Sequence, residues 1–388
     1  MDKKNYVNIL DFGSSKIRFS VFDSYKNIKF SKNKEVSLSD NFESHFNNLD
    51  KIIKEAEKKI SFHVEDIILI FDSVDLLTID ISLKKSLDKN SKAIKVYELM
   101  LLELNQLINT YYNNQYLIHV LMNKCVLDNE EIFNDIPKEK LINNNLKIDF
   151  KIICLPKILV NKIKDKFIEN NLKITNIFST SLIKSYTYAK KINKNKISFL
   201  EIGWERTSFL FYEMNKLKFI KTIPIGGFHI TKDIANIFKI TLDDAEKLKK
   251  SLSTSYTEFS YKTKSSENIM LADEIMDKNI SVDLLKKVIL YRVQEIFDLS
   301  FIKSDFMSHY KELFNTDLFL IGEGSMIFND NSFYLNDKFK FKSINFYAET
   351  DIEICNCAYT YNLNHSSSPK INIRKQGIFE KFFNYFSQ

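Results

Sequence analysis

Two carboxylates each stand two residues before a glycine, at the end of an apolar run: Asp11 in "NILDFGSSK" and Glu201 in "SFLEIGWER". An acid so placed can hold a hydrated Mg²⁺. The glycine turn beside it can offer backbone N–H groups to an anion. Together these features describe a grip on a phosphate chain. In the first copy the tip is Gly13-Ser14-Ser15-Lys16, two hydroxyls and a cation, and a second apolar run follows to Asp23. That pattern predicts a β-hairpin, with a plain polar turn as the other reading. The second copy comes about 190 residues later, with Gly203 between Glu201 and an apolar run from Phe209. A repeated hairpin of this kind predicts two related lobes facing each other across a cleft. Asp11, through water on Mg²⁺, is the one metal contact expected.

Only 7 glycines occur in 388 residues, and six of them follow β-type runs. They are Gly13, Gly203, Gly226 with Gly227 in "KTIPIGGF", and Gly322 with Gly324 in "DLFLIGEGSM". A chain this poor in glycine is expected to keep it where the backbone bends sharply or is approached closely. The order and spacing of these turns resemble the actin-like ATPase superfamily, and within it the bacterial cell-division family FtsA, as a divergent member. Asp11, Gly13 and Ser14 match D-x-G-[ST]. The second loop, D-I-G-G-G-T in that family, is matched only at Ile202 and Gly203, with Glu201 in place of the aspartate. The stretch Ile220 to Lys250 looks like the family's strand, glycine turn, helix and D-A-E-x-[IL]-K helix, with Asp244, Ala245, Glu246 and Lys249 in place.

The resemblance implies an α/β, two-lobed actin-like (ribonuclease H-like) fold with a strand-helix-strand-strand insert and a C-terminal amphipathic helix. Its parts would be residues 1–75 and 156–197 for the first lobe, 76–155 for the insert, 198–362 for the second lobe, 363–376 for a flexible linker and 377–388 for the helix. The nucleotide contacts it implies are Asp11, Gly13, Ser14, Ser15 and Lys16 in the first hairpin and Glu201 and Gly203 in the second. Gly226 and Gly227 would add a further glycine turn at the nucleotide, and Glu246, Lys249, Gly322, Gly324 and Ser325 would lie around the adenosine. Implied partners are FtsZ, further copies of the chain joined head to tail, other division proteins through the insert, and an anionic lipid surface. The expected location is the cytoplasmic face of the inner membrane at the division site.

The second loop departs from that pattern in ways that bear on chemistry. Trp204 and Glu205 replace small residues where a phosphate must come close. Glu205 adds like charge, worth several kcal/mol of repulsion per phosphate charge at roughly 5 Å and an effective dielectric near 20. Arg206 offsets this if it points inward, and Ser208 stands where the family has an aspartate. The expectation is ATP with Mg²⁺ held weakly or lost, no hydrolysis and no catalytic residue, with Trp204 filling phosphate space. Two rival functions are a pilus-assembly scaffold of the same fold and an actin-like sugar or acetate kinase. The kinase needs an intact glycine loop that is absent here.

Composition fits a globular body: 44% hydrophobic residues and 4 prolines. The net charge of +6 is spread along the chain, which argues against a nucleic-acid partner. The 4 cysteines include Cys355 and Cys357, whose alternation in an apolar run suggests a strand with both thiols buried and reduced. The 6 histidines have no metal-site spacing. No signal peptide or apolar run of spanning length is expected. At the end of the chain, Ile378, Phe379, Phe382, Phe383 and Phe386 fall on one face of a helix. Arg374, Lys375 and Lys381 lie beside it, suited to an anionic leaflet at about 1 kcal/mol each. A helix docked on the protein's own core is the alternative.

Overall fold

The computed structural model describes residues 6–36, 42–86, 91–128, 131–133, 135–137, 140–142, 144–259, 280–302, 316–328 and 341–366. The first hairpin forms as its turn residues require. Strands β1 (Val7–Phe12) and β2 (Lys16–Phe22) pair antiparallel, and β3 (Ile28–Glu35) follows on β2. Helix α1 (Phe42–Ile60) then crosses the sheet, so β4 (Asp66–Ile70) can join β1 in parallel. With β11 (Lys173–Phe178) the order is β11-β4-β1-β2-β3.

The second lobe repeats this plan. Strands β12 (Lys196–Ile202), β13 (Thr207–Glu213) and β14 (Lys216–Ile223) form the antiparallel meander. Strands β15 (Asp317–Ile321) and β16 (Ser343–Phe346) add in parallel, giving the order β14-β13-β12-β15-β16. Both faces of β12 and β13 are buried, so their side chains alternate between two cores. Phe199, Leu210 and Tyr212 join the first-lobe cluster, whereas Leu200, Phe209 and Phe211 join the second-lobe cluster. The second cluster is closed by α5 (Gly227–Phe238), α6 (Leu242–Phe259) and α7 (Val282–Phe297).

Between β4 and β11 lies the expected strand, helix, strand, strand order: β5 (Leu77–Ser86), α2 (Ala93–Tyr111), β7 (Gln115–Leu127) and β10 (Asn145–Pro156). Short strands β6 (Ser91–Lys92), β8 (Glu131–Phe133) and β9 (Leu141–Ile142) accompany them. The sheet runs β5-β10-β7-β8 and is antiparallel throughout. Val96, Met100, Leu104 and Ile108 recur at helical spacing on α2, and Ile148, Phe150 and Ile152 alternate on β10; together they build a separate core. His119 of β7 reaches out of the insert into the main body. Its Nε2 accepts from the Ser179 N–H at 2.9 Å, so the neutral ring carries its hydrogen on Nδ1 and donates to the Tyr361 hydroxyl at 2.9 Å.

The two chain crossings between lobes are made beside α4 (Thr180–Ile192) and α8 (Asp351–Ser366), which pack on each other; α3 (Lys157–Glu169) leads from the insert back to β11. Cys355 and Cys357 lie on α8 and not on a strand. Both are buried, as expected. Helix α8 is enclosed on most sides, with Ile354, Ala358, Tyr359 and Tyr361 also buried, and two apolar residues one apart in such a run do not distinguish strand from helix. This helix also continues to Ser366, past Tyr361 where the composition turns polar, so the first residues assigned to a linker are helical. The amphipathic stretch at 377–388 lies outside the described residues.

Phe199 shows how closely the two lobes share a core. Although on β12 of the second lobe, it belongs to the first-lobe cluster, and its ring meets that of Tyr188 on α4 at 6.5 Å. Phe199→Ala is expected to cost about 3–5 kcal/mol, read as a lower urea midpoint at unchanged slope.

Candidate functional site

The hairpin tips are two-residue turns, Ser14-Ser15 and Trp204-Glu205, and each sets the cross-strand partner of its acid. Asp11 faces Arg18, and Glu201 faces Ser208. Both hairpins open onto one cavity of about 330 Å³. Asp11, Gly13, Ser14, Ser15, Glu201, Gly203 and Gly322 all line it. The mirrored hairpins therefore face each other, as the repeat predicts.

The cavity is strongly charged, and its cations Arg18 and Lys184 are paired with acids of the chain itself. Arg18 donates to Asp11 at 2.7 Å, to Glu323 at 2.6 Å and to Asp351. Lys16 also reaches Glu323 at 2.6 Å. Arg18 is raised above its ordinary value: burial opposes the charge, but Asp11, Asp351 and Glu323 outweigh it. Burial pushes Asp11 upward despite Arg18. Asp351 is held low, because hydrogen bonding and charge from Arg18 overcome its partial burial.

Deeper in the junction, Lys184 projects from α4 and is almost fully buried. Its ammonium pairs with Glu201 on β12 and, at 2.9 Å, with Glu349 in the link between β16 and α8. Glu349 further accepts from the Gly322 N–H at 2.8 Å and the Tyr188 hydroxyl at 2.8 Å. Asp72, also on the cavity, accepts from the Ser179 hydroxyl at 2.6 Å and the Ser181 N–H at 2.9 Å, which fixes the start of α4. Burial, reinforced by Asp72 and Glu349 and only partly offset by Lys184, drives the Glu201 carboxyl up to about 8.

The remaining glycine turns serve the second hairpin itself. Gly227 and Phe228 donate to the carbonyls of Gly203 at 2.9 Å and Trp204 at 2.7 Å. His229 N–H bonds Gly226 O at 3.0 Å, and Gly226 N–H bonds the His229 ring at 3.2 Å. The N-terminal donors of α5, which could have met an anion, are thus engaged. A Cβ on Gly226 would lie 2.6 Å from both Gly203 O and Trp204 O, so only glycine allows this approach. Gly322 has φ +88, a left-handed bend suited to glycine. Trp204 stacks on Phe228 with centroids 5.0 Å apart, and the Lys249 ammonium lies 4.9 Å from its ring. Trp204 thus turns toward α5 and α6 while still lining the cavity. Arg206 lines it too and lies 3.9 Å from Glu205.

Of the other expected contacts, Glu246 and Lys249 pair with each other at 2.5 Å. Thr231 bonds Glu246 at 2.6 Å, and Lys249 bonds Thr231 at 2.8 Å. Gly226, Gly227, Glu246, Lys249, Gly324 and Ser325 sit behind the second hairpin, outside the cavity lining. Lys16 meets the site through Glu323. Sequence reasoning did not single out Arg18, Asp72, Lys184, Glu323, Glu349 or Asp351 as site residues. Arg18 was readable: a two-residue turn at Ser14-Ser15 places it opposite Asp11. Lys184 had a weaker signal, as a lysine one helical turn before the buried Tyr188.

These groups do not fit a Mg²⁺–nucleotide complex. The acids that would attract the metal are engaged by Arg18 and Lys184, and even with Glu201 protonated five other acidic side chains face three basic ones in the cavity lining. A triphosphate would meet net negative charge there. One pH consequence follows from Glu201. The folded protein binds its proton between an ordinary 4.5 and about 8, whereas the unfolded chain does not. This contribution is complete below the lower value and is lost as pH rises through the upper one. The unfolding free energy read from urea curves should fall from pH 5 to 8 with a slope of up to about 1.4 kcal/mol per pH unit, and Glu201→Gln should flatten that slope. Identical profiles for both proteins would refute the assignment.

A family model described as "Cell division protein FtsA" matches residues 199–354. The FtsA of Staphylococcus epidermidis (strain ATCC 12228 / FDA PCI 1200) is 27% identical over 186 residues, covering 46% of this chain and 38% of that protein. The FtsA of Bacillus subtilis (strain 168) is 23% identical over 208 residues, covering 53% and 47%. The chain thus matches less than half the length of these curated relatives. A chain of a solved "PilM-PilN type IV pilus biogenesis complex" superposes with a TM-score of 0.57 at 14% identity, over 90% of this chain and 89% of that one. The chain thus has mirrored lobes and an insert in an actin-like fold, and it is similar to FtsA across its second lobe.

Proposed function

We propose that this protein is a division scaffold: an actin-like body that links FtsZ filaments to the cytoplasmic face of the membrane and carries out no ATP turnover. The observation that carries this reading is the FtsA match over residues 199–354, which falls on a complete repeat of the first lobe's topology. The internally paired cleft supports a scaffold over an enzyme, because neither a metal site nor a phosphate grip is left open to substrate.

Attachment is assigned to Ile378, Phe379, Phe382, Phe383 and Phe386, with Arg374, Lys375 and Lys381 facing anionic headgroups. No helix among the described residues is long and apolar enough to cross a membrane. A short amphipathic helix binds lipid weakly and reversibly. Several such helices on one polymer would bind far more firmly, since each later contact is intramolecular. Head-to-tail contacts between copies, and contacts with other division proteins through the insert, complete this reading. A pilus-assembly scaffold is the second reading, favoured by the extent of the structural match to a chain of the PilM-PilN complex.

Flotation with vesicles containing anionic lipid tests the attachment. The full chain should rise with the vesicles and carry added FtsZ, and a chain ending at Lys375 should stay below. Equal flotation of both removes the anchor, and flotation without FtsZ favours the pilus reading. Calorimetry with Mg-ATP should show no submicromolar binding; finding such affinity would overturn the reading of the cleft.

A further inference from the structure

We propose that Glu323 is a built-in counter-anion: seated between Lys16 and Arg18, it holds the two lobes together in the place where a bound phosphoryl group would otherwise be gripped. One carboxylate oxygen receives both cations, Lys16 Nζ at 2.6 Å and Arg18 Nη2 at 2.6 Å. The cations belong to β2 of the first lobe, and Glu323 follows β15 of the second, so both bonds cross the cleft. Two charge-assisted bonds to one oxygen make a strong, directional contact.

Each side of this contact is held in place. Arg18 is fixed by its other nitrogens on Asp11 and Asp351. The turn that presents Glu323 is fixed by the Gly322 N–H on Glu349 at 2.8 Å and by Ser325, whose N–H and hydroxyl both bond Gly322 O, at 3.0 and 2.7 Å. Glu323 itself remains 58% exposed at its side chain, so it lies at the mouth of the cavity and not in its depth. An anion arriving from solvent would meet this carboxylate before it met Lys16 or Arg18.

The class of ligand excluded is a small polyanion with the charge density of inorganic pyrophosphate. This contact across the cleft is therefore supplied by the chain itself. This inference rests on the reading of the cleft as internally paired, and its test does not depend on lipid or FtsZ.

The full chain, Glu323→Gln and the control Glu55→Gln are compared at low ionic strength. Glu55 pairs with Lys32 on an exposed face, so its loss removes a comparable charge at another surface ion pair. Glutamine keeps the size of the Glu323 side chain and removes its charge. In Glu323→Gln, amide exchange in segments 13–18 and 322–325 should accelerate at least tenfold. Calorimetry with inorganic pyrophosphate should show at least tenfold tighter binding than the parent, and Glu55→Gln should show neither change. Absence of either change in Glu323→Gln, or the same changes in Glu55→Gln, overturns the proposal. A protein that failed to float would leave both readouts intact, so the two readings fail separately.

Discussion

A charge buried where two lobes meet must be matched by charges from both, and Lys184 concentrates that requirement. Its ammonium is out of water, a transfer that costs several kcal/mol unless partners surround it. Those partners arrive on β12 and on the link into α8, so the pairing forms only when both chain crossings are in register. Buried ion pairs add little net stability compared with apolar packing, but they reject arrangements that leave an ion alone. The triad therefore acts mainly on the relative placement of the lobes. Arg18 repeats the same logic nearer the surface with a different set of acids.

The glycine turns fit this picture once their neighbours are considered. Gly226 is needed because α5 begins against the carbonyls of Gly203 and Trp204. Gly322 and Gly324 allow the β15 turn to approach Ile202, where a Cβ on either would lie 2.7 Å from the Ile202 carbonyl oxygen. Two segments distant in sequence thus converge on the second hairpin by backbone contact. Such packing explains why a chain so poor in glycine places it there. It also leaves Trp204, the chain's only tryptophan, sandwiched between Phe228 and the Lys249 cation.

Much of the frame was legible in the sequence because its signals are local. Alternating apolar residues around Ser14-Ser15 and Trp204-Glu205 dictate hairpins, and helical spacing in α2 and α4 dictates amphipathic helices. Two acid-x-glycine turns were enough to predict a shared cavity. The chemistry inside it was less legible, since Glu349 comes from a link with no periodicity and Asp351 from the first position of α8, and they meet Lys184 and Arg18 only after folding. Cys355 and Cys357 show the limit of period counting: in a helix enclosed on most sides, buried apolar residues fall on more than one face. Gly226 and Gly227 were recognised as constrained, but what approaches them is the protein's own backbone.

His119 ties the insert to this junction. Its imidazole accepts from the first amide of the α4 cap and donates to Tyr361 of α8, with Phe178 stacked on its ring at 5.5 Å. Pulling the insert away would strand a buried ring and a buried amide together, so the two bodies shift as one lever. A force applied to the insert is therefore delivered straight to α4 and α8, where the two lobes are joined.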